Sequence, residues 1–67
     1  MTSQELLQWR KRMGVSQRDA AKALGVAFTT YQEMERGRRF RDNRPAPINQ
    51  RTELACFALE QAERGLS

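Results

Sequence analysis

The chain has 67 residues, which leaves room for one domain with a modest core. Twelve Lys and Arg against eight Asp and Glu give a net charge of +4 and a pI near 10.2, the balance of a protein whose partner is an anion. One cysteine, Cys56, and no histidine exclude a disulfide framework and argue against metal or redox chemistry, and no apolar run suggests a membrane span or a secretion leader, so the expected location is the cytosol or nucleoid, with no cofactor.

Thr2 to Glu5 reads as a capping box, and Leu6, Trp9, Arg10 and Met13 follow at three- and four-residue spacing up to a stop at Gly14. Ser16, with Asp19 three residues later, opens a second helix of about two turns; Ala20, Ala21 and Leu24 form its apolar stripe and Gly25 ends it. Only Val26 and Ala27 precede a third periodic stretch, with Tyr31 and Met34 inward and Gly37 as its stop. From Gly37 to Pro47 the pattern breaks, which predicts an irregular, exposed, basic loop over residues 38–47.

Helix resumes around Asn49 and runs to about residue 64, before Gly65. Leu54, Phe57, Ala58 and Gln61 lie on one side of it, and Ala55, Leu59 and Ala62 on the adjoining side. Leu54, Phe57 and Ala58 are expected to close the core. The prediction is a compact all-α domain of four to five helices spanning residues 1–67.

Charge follows this layout. Residues 1–44 carry ten basic and five acidic side chains, the remainder two basic and three acidic, so a basic working end precedes a near-neutral packing end. Ten of the twelve cations are Arg, whose planar fork suits bidentate phosphate contacts better than Lys does.

Helices 2 and 3, joined by so short a turn, must meet at a steep angle, with small residues where the backbones approach; Ala21 and Gly25 meet that need. Helix 3 then presents Phe28, Thr29, Gln32 and Glu33 outward, groups able to read base edges in a major groove. Residues 6–37, LLQWRKRMGVSQRDAAKALGVAFTTYQEMERG, resemble the Cro and phage-repressor (XRE-like) helix-turn-helix family, through the Ser-Gln start, the Leu-Gly-Val turn and the Glu-Arg-Gly end at the family spacing. The resemblance implies that Ser16 caps helix 2, that Gln17 contacts the DNA backbone, and that Phe28, Thr29, Gln32 and Glu33 touch bases; Ser16 and Thr30 are further candidates for backbone contact. It also implies that Arg10 pairs with Glu35; both neighbour inward residues, Trp9 and Met34, where an unpaired charge is costly.

Two positions depart from the family pattern. Ala27 stands where Ser is common, so helix 3 lacks an ordinary side-chain cap, and Phe28 replaces a more usual polar residue. Phe28 either touches a thymine methyl or packs inward or against a partner. Helix 3 has no Arg or Lys before Arg36, so Gln32 to adenine and Glu33 to cytosine are the natural pairings. Beside the helix, Arg36, Arg38, Arg39, Arg41 and Arg44 are placed to neutralise phosphates, or one enters the minor groove as a flexible arm.

Dimers place two recognition helices about 34 Å apart on a palindromic site, so a homodimer is expected. Leu59, Ala62 and Leu66, with Cys56 or Phe40, are candidates for its interface; the alternative is that they cover the core. Residues 44–62, RPAPINQRTELACFALEQA, also resemble the tail of small phage regulators that repress anti-CRISPR operons. The function these features imply is an autoregulatory transcriptional repressor on double-stranded DNA, without a small-molecule effector; an antitoxin that represses its own operon is the alternative. Enzymatic function is not expected, since no nucleophile with an adjacent base and no phosphate-cradling glycine loop appear.

Overall fold

The computed structural model describes residues 1–63. Four helices follow one another: α1 (Ser3–Met13), α2 (Gln17–Leu24), α3 (Phe28–Arg36) and α4 (Gln50–Glu63). Each of the first two begins where its cap predicts. The Thr2 hydroxyl accepts from the Glu5 N–H at 3.1 Å while the Glu5 carboxylate accepts from the Thr2 N–H at 2.7 Å, and the Ser16 hydroxyl accepts from the Asp19 N–H at 3.1 Å. Helix α3 starts after Ala27 with no side-chain cap, and α4 starts where the Asn49 side chain accepts from the Thr52 N–H at 2.8 Å.

Left-handed glycines end α1, α2 and α3, and two of them also set the path of the chain. Gly25 adopts φ +72°, the left-handed turn that swings the chain from α2 into α3, and the Val26 N–H then reaches the Ala21 carbonyl at 3.0 Å. Gly37 adopts φ +86°, and a Cβ there would stand 3.2 Å from the Ser3 hydroxyl oxygen, so α3 ends against the start of α1.

The core consists of Leu6, Trp9, Ala20, Ala21, Tyr31, Met34 and Cys56, with Met13, Val15, Leu24, Val26, Ile48 and Leu59 partly buried around it. Helix α3 packs on α1 and α2, and α4 closes the other side of the same pair. Polar contacts with α1 and the amino terminus, where Met1 pairs with Glu53 at 3.2 Å, help hold α4 in place. The Trp9 indole N–H donates to the Cys56 carbonyl at 2.9 Å, and Arg12 makes a two-pronged ion pair with Glu60 at 2.7 and 3.2 Å.

These contacts overturn the expected orientation of α4. Leu54 and Phe57 are 59% and 63% exposed and Ala58 is exposed, whereas Cys56 is buried, Thr52 is buried, and Leu59 packs on the core. Cys56 and Leu59 are therefore inner residues, not an open interface; of the remaining candidates Phe40 and Ala62 are exposed, and Leu66, like Gly65, lies outside the described residues. The physical reason is that residues 54–59 are all apolar, so the pattern marks no single face. Long-range contacts decide the face, among them the Trp9 N–H, which needs an acceptor once it leaves water and finds it in the Cys56 carbonyl.

The segment after Gly37 is the exposed basic loop expected, and its backbone is more ordered than an irregular stretch requires. It is a closed loop: Arg39 N–H donates to the Arg44 carbonyl at 2.8 Å, Asn43 N–H to the Arg39 carbonyl at 2.9 Å, and Ala46 N–H to the Gly37 carbonyl at 3.1 Å, with Arg38 and Pro45 in an isolated antiparallel bridge. Asn43 takes φ +59°, a left-handed conformation that Asn tolerates better than most residues.

Candidate nucleic-acid interface

The outward side of α3 runs from Phe28 through Thr29, Thr30, Gln32 and Glu33 to Arg36. Thr29, Thr30 and Arg36 are exposed, and Phe28, Gln32 and Glu33 half-buried. Hydroxyl groups and a side-chain amide on one helix face can donate to and accept from base edges. Tyr31 and Met34 face the core, as their spacing predicts.

An arginine stacks on a phenylalanine at each end of this face. The Arg18 guanidinium, from α2, lies 4.5 Å from the centre of the Phe28 ring, and the Arg36 guanidinium lies 4.8 Å from the centre of the Phe40 ring. Phe28 is half-buried and carries Arg18 over its ring. Arg18 is a residue that sequence reasoning missed; the available signal was its place next to Gln17 at the start of α2, across the short turn from the first residue of α3.

Glu33, the candidate for cytosine, has an internal partner. One of its carboxylate oxygens accepts from the Phe40 backbone N–H at 2.9 Å, so the acid fastens the basic loop to α3. Within the loop, Arg38 donates to the Asn43 carbonyl at 3.0 Å, and Asp42 lies between Arg39 at 3.6 Å and Arg44 at 3.8 Å. All these guanidinium groups are exposed, as is Arg41, which has no acidic partner among the described residues. One acid amid four arginines lowers their mutual repulsion and leaves the loop strongly positive.

Beneath α3, Glu35 gathers three donors. Arg10 reaches it through two nitrogens, at 2.5 and 3.4 Å, the Tyr31 hydroxyl donates at 2.7 Å, and the Gln17 side-chain amide donates at 2.9 Å. Arg10 also donates to the Val15 carbonyl at 3.1 Å, so one guanidinium ties α1, the α1–α2 turn and α3. Desolvation drives the Glu35 carboxyl upward, but hydrogen bonds from Arg10, Tyr31 and Gln17 outweigh it and hold the group below the usual carboxylate range. Tyr31 is pushed well above its ordinary value, first by burial and then by its bond to Glu35.

The expected Arg10–Glu35 pair is therefore formed. Gln17 and Ser16, expected at the DNA backbone, both have internal partners: Gln17 in the Glu35 cluster, Ser16 at the α2 cap. Among the described residues no group of His, Cys, Asp or Glu could hold a metal ion, and no helix is long and apolar enough to cross a membrane.

A family model described as helix-turn-helix matches residues 6–41, more than half of the chain. The match takes in α1 from Leu6 onward, α2, α3 and the first part of the basic loop, and stops short of α4. No curated protein and no solved structure matches, so the resemblance of residues 44–62 to anti-CRISPR operon regulators finds no support.

Proposed function

The chain belongs to the helix-turn-helix family of DNA-binding regulators, and from that premise we propose that it is a sequence-specific repressor of its own operon, acting as a homodimer on an inverted repeat. The observation that carries this reading is the polar face of α3, Thr29, Thr30 and Gln32, flanked by a stacked arginine at each end and a tethered basic loop at one. Thr29 and Gln32 take the base edges. Thr30, Arg36, Arg38, Arg39, Arg41 and Arg44 take phosphates and set the register. Gln17 keeps a second amide hydrogen for a phosphate while its first holds Glu35.

Two copies meet through α4. Leu54 and Phe57 form with Ala58 an exposed apolar row at three- and four-residue spacing, and a two-fold axis would bring four large side chains together. Burying each is worth about 1.5–3 kcal/mol, against an association cost of about 4–15 kcal/mol. The free dimer is accordingly weak, and DNA completes it. Occupancy of the operator blocks polymerase and follows protein concentration.

The test is binding of the purified protein to a fragment from its own promoter and to random DNA of equal length, across a salt series. Promoter-selective, salt-sensitive binding is the expected result. Weak and equal binding to both would overturn the reading and favour a protein partner, such as the toxin of an antitoxin pair.

A further inference from the structure

Helix α3 carries a gap in its chemistry. Its groove-facing residues up to Arg36 include hydroxyls and an amide but no cation, and the side chain best suited to guanine is an arginine that reaches O6 and N7 together. Arg18 stands next to that gap. It belongs to α2, yet its guanidinium lies over the ring of Phe28, the first residue of α3.

The character of this contact matters. Stacking occupies the flat face of a guanidinium and leaves the N–H groups along its edge available. Several other arginines of the domain have their edges in use: Arg10 on Glu35, Arg12 on Glu60, Arg38 on the Asn43 carbonyl, and Arg39 beside Asp42. Arg18 is exposed and has no acidic partner among the described residues, Asp19 included. A ring beneath the guanidinium restricts where the fork can sit, which gives little to a phosphate contact, tolerant of many approaches, and much to a bidentate base contact, which needs one placement.

We propose that Arg18, held on Phe28, is a specificity-determining residue that reads a guanine at the position of each half-site facing the amino-terminal end of α3. Phe28 is then a positioning residue, not a reader of thymine methyls. This proposal rests on the DNA-reading role argued above.

Selection from a randomised double-stranded DNA pool, run in parallel with wild type, Arg18→Ala, Arg18→Lys and Phe28→Leu, tests it. The wild-type motif should contain one guanine per half-site that Arg18→Ala and Arg18→Lys both lose, the other positions staying unchanged. Phe28→Leu should weaken the same position and no other. Replacing that guanine by 7-deazaguanine, which removes the N7 acceptor, should lower wild-type affinity about tenfold and leave Arg18→Ala unaffected. Equal melting temperatures of wild type and Arg18→Ala would confirm an intact fold. An unchanged motif in Arg18→Ala, with binding reduced alike on every sequence and a salt slope lower by about one, would make Arg18 a phosphate contact and overturn the proposal. Retention of the guanine by Arg18→Lys at undiminished affinity would overturn the part assigned to Phe28, since a lysine keeps the charge without the planar fork the ring holds. If wild type selected no motif, the DNA-reading role itself would fail with it.

Discussion

Glu33 accepts a hydrogen bond from the backbone N–H of Phe40, which fastens the basic loop to α3. The loop's own backbone bonds keep its guanidinium groups close to α3, and the Arg36–Phe40 stack adds a second tie at the same point. Glu33→Ala should release this attachment: DNA affinity falls about equally on all sequences, and the Phe40 amide exchanges with solvent faster. A changed sequence motif in Glu33→Ala would show instead that the carboxylate reads a base.

The Arg10–Glu35 pair is architectural. The Glu35 side chain is only 7% exposed, so Arg10→Ala leaves a carboxylate poorly solvated and should cost about 3 kcal/mol in denaturant unfolding. The double variant Arg10→Met, Glu35→Leu should recover part of that loss, because it removes both charges from a partly desolvated site. A double variant as unstable as the sum of the singles would contradict this account.

Acid should weaken the fold through the same residue. Glu35 titrates below its ordinary value of 4.5 in the folded chain, so its contribution is complete above that value and is lost as pH falls through the lower, folded one. Melting temperature should hold from pH 7 to about 5 and drop below it, more steeply for wild type than for Glu35→Gln. Glu5, bonded to the Thr2 backbone, shifts in the same direction at the α1 cap.

Cys56 should be chemically quiet. Burial, with help from Glu53 and Glu60, pushes its thiol up to about 11, and it is 1% exposed. Iodoacetamide at pH 8 should label it only as fast as the protein opens, and unfolding in guanidinium should make labelling rapid. Fast labelling of the native protein would mean that α4 detaches readily.

The exposed row on α4 separates association from folding. Phe57→Glu should leave the melting temperature of the dilute protein within a few degrees, because the side chain is 63% exposed, while shifting sedimentation toward the monomer and weakening binding to a two-half-site DNA far more than to a single half-site. Unaltered association in Phe57→Glu and Leu54→Glu would place the dimer contact elsewhere.

Features set by short-range chemistry were legible in the residues themselves. The Thr2–Glu5 box, the Ser16 cap, the glycines at 14, 25 and 37, and the inward Leu6, Trp9, Tyr31 and Met34 are each a matter of a few neighbouring positions, and the helices and core follow them closely. Arg10 and Glu35 were legible through the family spacing, as was the exposed face of α3. Tertiary structure alone decided the rest. Residues 54–59 mark no single apolar stripe, and contacts with distant residues, the Trp9 indole on the Cys56 carbonyl 47 residues away and Arg12 on Glu60, accompany Cys56 inside and Leu54 and Phe57 outside. Likewise, Arg18 meets Phe28, and Glu33 meets Phe40, across turns whose geometry no periodicity describes. A carboxylate or guanidinium has several partners within reach of its sequence neighbourhood, and which it takes depends on which groups folding brings near it and removes from water.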